Sequence, residues 1–99
     1  MSAFVFSPRA KQDLAEIWRY LAADAGEEIA DRIQQELLER CEILAVMPEQ
    51  GYLRPDLSSR PVRFVPVYSW LIVYRAARPL EIVAVIHGRR DLRRALRTS

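Results

Sequence analysis

The chain has 99 residues, 51% apolar and 28% charged, with a formal net charge of +2. That length supports one domain spanning residues 1–99 and not a second core, and no apolar run approaches the roughly 18–20 residues of a membrane span. One cysteine, Cys41, cannot close an internal disulfide, and one cysteine with one histidine excludes a structural zinc site, so neither metal nor cofactor is expected.

The opening MSAFVFSPRA has no basic segment followed by an apolar stretch, so no signal peptide is expected and a reducing cytoplasm is the expected setting. Ala3–Phe6 fits a short strand. Ser7-Pro8 reads as a helix start, with serine as cap and proline suited to the first turn. Leu14, Ile17, Trp18 and Leu21 recur at helical spacing and predict an amphipathic helix over 8–23. Asp24 is the expected cap of a second helix, with Glu27 as its capping-box partner. Ile29, Ile33, Leu37, Cys41 and Leu44 carry that helix to about Met47, where Pro48 stops it. Cys41 falls on this apolar stripe, which makes it a buried thiol rather than a nucleophile. Arg32–Glu36 and Glu36–Arg40 are candidate ion pairs one turn apart.

Residues 48–61, PEQGYLRPDLSSRP, read as a loop. Three strands follow: Val62–Val67, with Pro66 at an edge or bend, then Tyr68–Arg75, then Leu80–His87, the last two joined by a hairpin at Ala76–Pro79. Asp91–Arg97 is compatible with a short final helix carrying Leu92, Ala95 and Leu96 on one side. The order is β-α-α-β-β-β, an α+β arrangement. Strict alternation places Leu80, Ile82, Ala84 and Ile86 on one sheet face and Val83 and Val85 on the other. Tyr68, Trp70, Ile72 and Tyr74 oppose Leu71 and Val73 in the same way. Both faces are apolar at their centres, and a helical hairpin covers one. The other is either an exposed apolar patch of the kind that marks binding sites or the seat of the C-terminal helix.

Charge divides the chain. Residues 1–50 carry five basic and ten acidic groups, and residues 51–99 carry ten arginines and three acids. An Arg-rich pole of this kind suits something anionic, whether nucleic acid, a phosphate-rich machine or an acidic protein segment. The alternative is a solvated face that keeps the protein soluble.

The ordered set SPRAKQDLAEIWRYLA, then GYLRPDL, then VYSWLIVY, then EIVAVIHGRRDL resembles the RelE/ParE superfamily of bacterial toxins from type II toxin–antitoxin pairs. Trp18, Tyr20 and the closing His87-Gly88-Arg89-Arg90-Asp91 are most similar to the ParE branch. The resemblance covers essentially the whole chain. It implies a helical hairpin packed on a small, mainly antiparallel sheet, a ParD-like antitoxin whose C-terminal segment wraps the toxin, and inhibition of DNA gyrase. The RelE branch instead cleaves messenger RNA on the ribosome.

The two activities ask for different residues. A nuclease needs a base, an acid and a group to hold phosphorane charge; here that set would be His87, Arg89 and Arg63. Nuclease members of the superfamily typically end in a tyrosine or His-Tyr and carry additional lysines, whereas this chain ends DLRRALRTS and has only Lys11. Gyrase inhibition needs no catalytic residue, and its candidate contact surface is His87, Arg89, Arg90, Arg93, Arg94 and Arg97. Candidate antitoxin contacts are Trp18, Tyr20, Trp70, Tyr74 and Arg63, because aromatics and arginine dominate interface energies; the alternative for each tryptophan is the core. Direct nucleic-acid binding is not expected, since no helix-turn-helix, zinc-finger or RNA-recognition signature is visible.

Overall fold

The computed structural model describes residues 3–54 and 60–88. Ser7 opens the first helix, α1 (Pro8–Ala25): its Oγ accepts from the Ala10 N–H at 3.0 Å, and Pro8 occupies the first turn, where no N–H is needed. Leu14 and Leu21 are buried on its inner face, with Ile17 and Trp18 half-buried beside them.

Gly26 turns the chain into α2 (Glu27–Val46) with φ of 97°, a value that favours glycine. This corrects the expected cap. Asp24 is still inside α1, and α2 starts without a side-chain cap. Glu27 and Glu28 in its first turn instead place negative charge against the positive end of the helix dipole. Ala30, Ile33, Leu37, Cys41 and Leu44 form its buried stripe; four of these are the residues the periodicity predicts, while in the first turn Ala30 is buried and the expected Ile29 is only half-buried. Neither Arg32–Glu36 nor Glu36–Arg40 closes as an ion pair among the described residues; Arg9–Asp13 and Arg75–Glu81 do.

The strands are β1 (Phe4–Phe6), β2 (Tyr52–Leu53), β3 (Arg63–Val67), β4 (Trp70–Arg75) and β5 (Leu80–His87), in the spatial order β1-β5-β4-β3-β2. β1 runs parallel to β5 and every other pairing is antiparallel. β2 lies inside the segment read as a loop: two residues pair with Phe64 and Arg63, a length too short to leave a strand signature. Tyr68 and Ser69 are a turn rather than the start of β4, and Tyr68 has φ of 55°. Pro66 lies past the two β3 residues that β2 covers, so its missing N–H interrupts no pairing on that edge.

Both sheet faces are apolar, as expected, but alternation along β5 breaks. Val73 pairs with Ala84 and Tyr74 with Ile82, so Val83 is an extra residue, a β-bulge. The bulge sends Leu80, Ile82 and Val85 to the helix side and Ala84 and Ile86 to the far side. The helix-side core joins these three with Val65, Ile72 and Tyr74 and the inner stripes of both helices. On the far side Val62, Phe64, Val73, Ala84 and Ile86 are all 5% exposed or less, so the centre of that face is not an open patch. The helix expected at Asp91–Arg97 lies outside the described residues.

Candidate functional site

The two ends of β4 hold four of the six described candidate residues, and they hold different ones. At its start Trp70 pairs with His87, the last residue of β5. The indole and imidazole meet edge to face, ring centres 6.5 Å apart at 80°. The Gly88 N–H donates to Ser69 O at 2.8 Å and closes this end of the sheet. A Cβ at Gly88 would come within 3.3 Å of that carbonyl, so the position favours glycine by space. Trp70 is half-buried against the helix-side core, and His87 is half-buried with it. The Arg-rich segment continues directly from here; Arg89, Arg90, Arg93, Arg94 and Arg97 lie outside the described residues.

At the other end of β4, Tyr74 is completely enclosed. Its hydroxyl donates to Pro48 O and accepts from the Gly51 N–H, both at 2.8 Å. Burial raises its pKa, with the Gly51 hydrogen bond and Arg63 opposing. Arg63, opposite Tyr74 in register, donates from Nη1 to Gly51 O at 3.0 Å and Glu49 O at 3.4 Å. Both side chains therefore hold the α2–β2 connection. Tyr74 presents no surface to a partner, and the facing end of the Arg63 guanidinium is occupied by backbone carbonyls.

The two described members of the nuclease set, Arg63 and His87, do not converge. Arg63 faces Tyr74 and His87 faces Trp70, four residues apart on β4 and about 13 Å along the strand. They also lie on opposite flanks of that strand. One phosphate cannot touch both.

Of the remaining candidates, Trp18 is half-buried and its Nε1 donates to Asp31 Oδ1 at 2.8 Å, which pins α1 to α2. Tyr20 is 55% exposed on α1 and is free to meet a partner sterically. The sequence reading missed a second exposed group: Ile43, Val46 and Met47 at the end of α2, Tyr52 and Leu53 in β2, and Tyr68 in the β3–β4 turn. The signal was present at the end of α2, where Ile43 and Val46 are apolar but fall off the buried stripe. The Tyr68 hydroxyl is directed at Glu36 on α2, and hydrogen bonding to that carboxylate raises its pKa. A cleft of about 440 Å³ on the other flank is lined by Ser7, Arg60, Val62, Arg75, Glu81 and Val83, and its arginine and glutamate at 75 and 81 pair with each other. Among the described residues no group of three or more His, Cys, Asp or Glu side chains is placed to hold a metal ion, and no helix is long and apolar enough to cross a membrane.

This is an α+β protein with a helical hairpin on a five-stranded mixed sheet and an aromatic–imidazole strand end that leads into an arginine-rich segment. Residues 4–92 match the family model described as ParE toxin of type II toxin-antitoxin system, parDE, and the chain belongs to that family. Its fold is similar to a solved chain described as "Chromosomal ParDE TA system from P. aeruginosa", with a TM-score of 0.72 and 23% identity over 88% of this chain and 96% of that one. No curated protein matches it.

Proposed function

We propose that this chain is the toxin of a type II pair, that a ParD-like antitoxin neutralises it, and that the free toxin inhibits DNA gyrase in the cytoplasm. Family membership supports the toxin class. The observation that favours a binding protein over a nuclease is the register of β4, which keeps Arg63 and His87 at opposite ends and commits Arg63 to the Glu49 and Gly51 carbonyls.

Inhibition by binding requires only that the toxin prefer one conformation of its target and so trap it. The contact surface in this reading is His87 with Arg89, Arg90, Arg93, Arg94 and Arg97. Arginine makes planar two-point contacts with carboxylate or phosphate, which a rigid strand end can aim. Trp70 fixes the imidazole at the base of that surface.

The antitoxin reading uses the exposed face. Tyr20, the accessible edges of Trp18 and Trp70, and Tyr68 are the aromatic anchors. An acidic antitoxin segment, disordered when free, would fold against them and pair with the arginine pole.

The test is Arg89→Ala with Arg90→Ala in one chain. We expect loss of gyrase inhibition with antitoxin co-purification largely retained, because the aromatic anchors and the remaining arginines still hold the antitoxin. Full inhibition by the double variant would refute the assignment of these arginines.

A further inference from the structure

Arg32, Glu36, Arg40 and Ile43 are spaced four, four and three residues apart on α2, so at 3.6 residues per turn they form one line along the helix, and Met47 follows at its C-cap. Arg32, Ile43 and Met47 are exposed, and Glu36 and Arg40 are half-exposed. Tyr68 faces the middle of the line from the β3–β4 turn and feels both Glu36 and Arg32. The stripe is therefore a row of charges, plus–minus–plus, that runs into an apolar patch and is roofed at its centre by an exposed aromatic ring.

Two features distinguish this row from an ordinary solvated face. Neither intrahelical ion pair closes, and Glu36 Oε2 is shielded from solvent with no hydrogen-bond partner. A shielded carboxylate oxygen without a donor is a cost that an incoming donor removes. The neighbouring sheet edge is poorly suited to strand addition. β2 already covers Arg63 and Phe64, and Pro66 removes a donor from the rest of β3. Side chains, not backbone, are what this flank offers to a partner.

We infer that this flank docks an antitoxin helix carrying an acid, a base and an acid at four-residue spacing, followed by two apolar residues. The central base takes Glu36 Oε2, and the flanking acids take Arg32 and Arg40. The apolar pair lies on Ile43 and Met47. Tyr68 is the movable roof, held at φ of 55°, a conformation tyrosine rarely adopts, and it turns from Glu36 to the helix when the base arrives. The inference rests on the antitoxin reading above and adds the face, the shape and the charge order of the partner.

The test uses the full-length toxin and its antitoxin, with affinity measured at low and high salt. Glu36→Gln should weaken the complex about tenfold, and inversion of the row (Arg32→Glu, Glu36→Arg, Arg40→Glu) at least about a hundredfold, both less at high salt. An antitoxin with its acid–base–acid triplet inverted should restore binding to the inverted toxin alone. Glu36→Gln should leave the unfolding midpoint no lower than that of the wild type, which separates recognition from folding. Wild-type affinity for both variants would overturn the inference and leave the antitoxin reading standing. Failure of the unaltered toxin to bind its antitoxin would overturn both.

Discussion

Asp13 on α1 accepts the backbone N–H of Val85 through Oδ2 at 3.0 Å, across 72 residues of sequence. Val85 lies just past the bulge at Val83, where the ladder with β4 is interrupted. Ser7 works on the same point: its Oγ donates to Val83 O at 2.7 Å, and its N–H donates to Ile82 O at 2.9 Å. The cap of α1 and the irregularity in β5 are thus one structure. A side chain from the helix satisfies a backbone group near the bulge, and Arg9, at 3.5 Å from the same oxygen, helps hold it.

Asp13→Ala should therefore destabilise the fold by about 1–3 kcal/mol, the cost of stranding a partly buried N–H. Asp13→Asn, which keeps an acceptor, should lose less. Urea unfolding of the three proteins orders them. Equal stability of Ala and wild type would refute the link between helix and bulge.

The Tyr74 hydroxyl bridges Pro48 O and Gly51 N, and the space around it is full. A Cβ at Gly51 would lie 2.6 Å from that hydroxyl and 2.8 Å from Cε1. Tyr74 is enclosed and cannot yield. Gly51→Ala should cost about 1–3 kcal/mol by overpacking. Tyr74→Phe should cost a similar amount by leaving Gly51 N–H and Pro48 O without a partner. Combining them should cost less than the sum, because the phenylalanine lacks the oxygen that the alanine strikes. A strictly additive double variant would contradict the contact.

Cys41 is 2% exposed, and burial, with Glu42 adding, pushes its thiol from 9.0 up to about 12. The folded state keeps the proton where the unfolded chain has lost it. Stability is therefore unaffected below about pH 8 and falls as pH rises through the unfolded value, reaching a total loss of about 1.4 kcal/mol one unit above it. Cys41→Ala lowers stability at every pH through lost packing but should remove this part of the alkaline slope. Denaturant unfolding from about pH 8 to about pH 10 reads the difference, and equal slopes would refute it. The native thiol should also resist a thiol reagent that labels the unfolded chain at once.

The parts of the fold with a local cause were legible in the residues. Ser7-Pro8 set the start of α1, the apolar stripe of α2 appeared at Ile33, Leu37, Cys41 and Leu44 with Ala30 in place of Ile29, and Leu80–His87 was a strand from end to end. What failed depended on other parts of the chain. Asp24 has the chemistry of a cap, but Gly26 makes the turn and α1 simply continues through the aspartate. The bulge at Val83 depends on Ser7 and Asp13, so strict alternation misplaced Ala84 and Ile86. Two residues of β2 are too few to signal a strand, and they pair because Tyr74 and Arg63 hold the preceding loop.

The candidate site was legible in kind more than in position. Trp70 and His87 do meet at one strand end. Tyr74 and Arg63, chosen as interface residues for their chemistry, spend it on the backbone at Pro48, Glu49 and Gly51. A tyrosine in an apolar strand and a tyrosine at an interface look the same until the loop that its hydroxyl bonds is known. Glu36 was read as half of an ion pair because the arginines four residues away suggested one, and only the packed structure sets Tyr68 against it.

The most direct measurement is a DNA gyrase supercoiling assay with purified free toxin, run beside cleavage of messenger RNA on programmed ribosomes. The account predicts loss of supercoiling or trapped cleaved DNA, with the messenger intact. Codon-phased cuts in the messenger with normal supercoiling would contradict it.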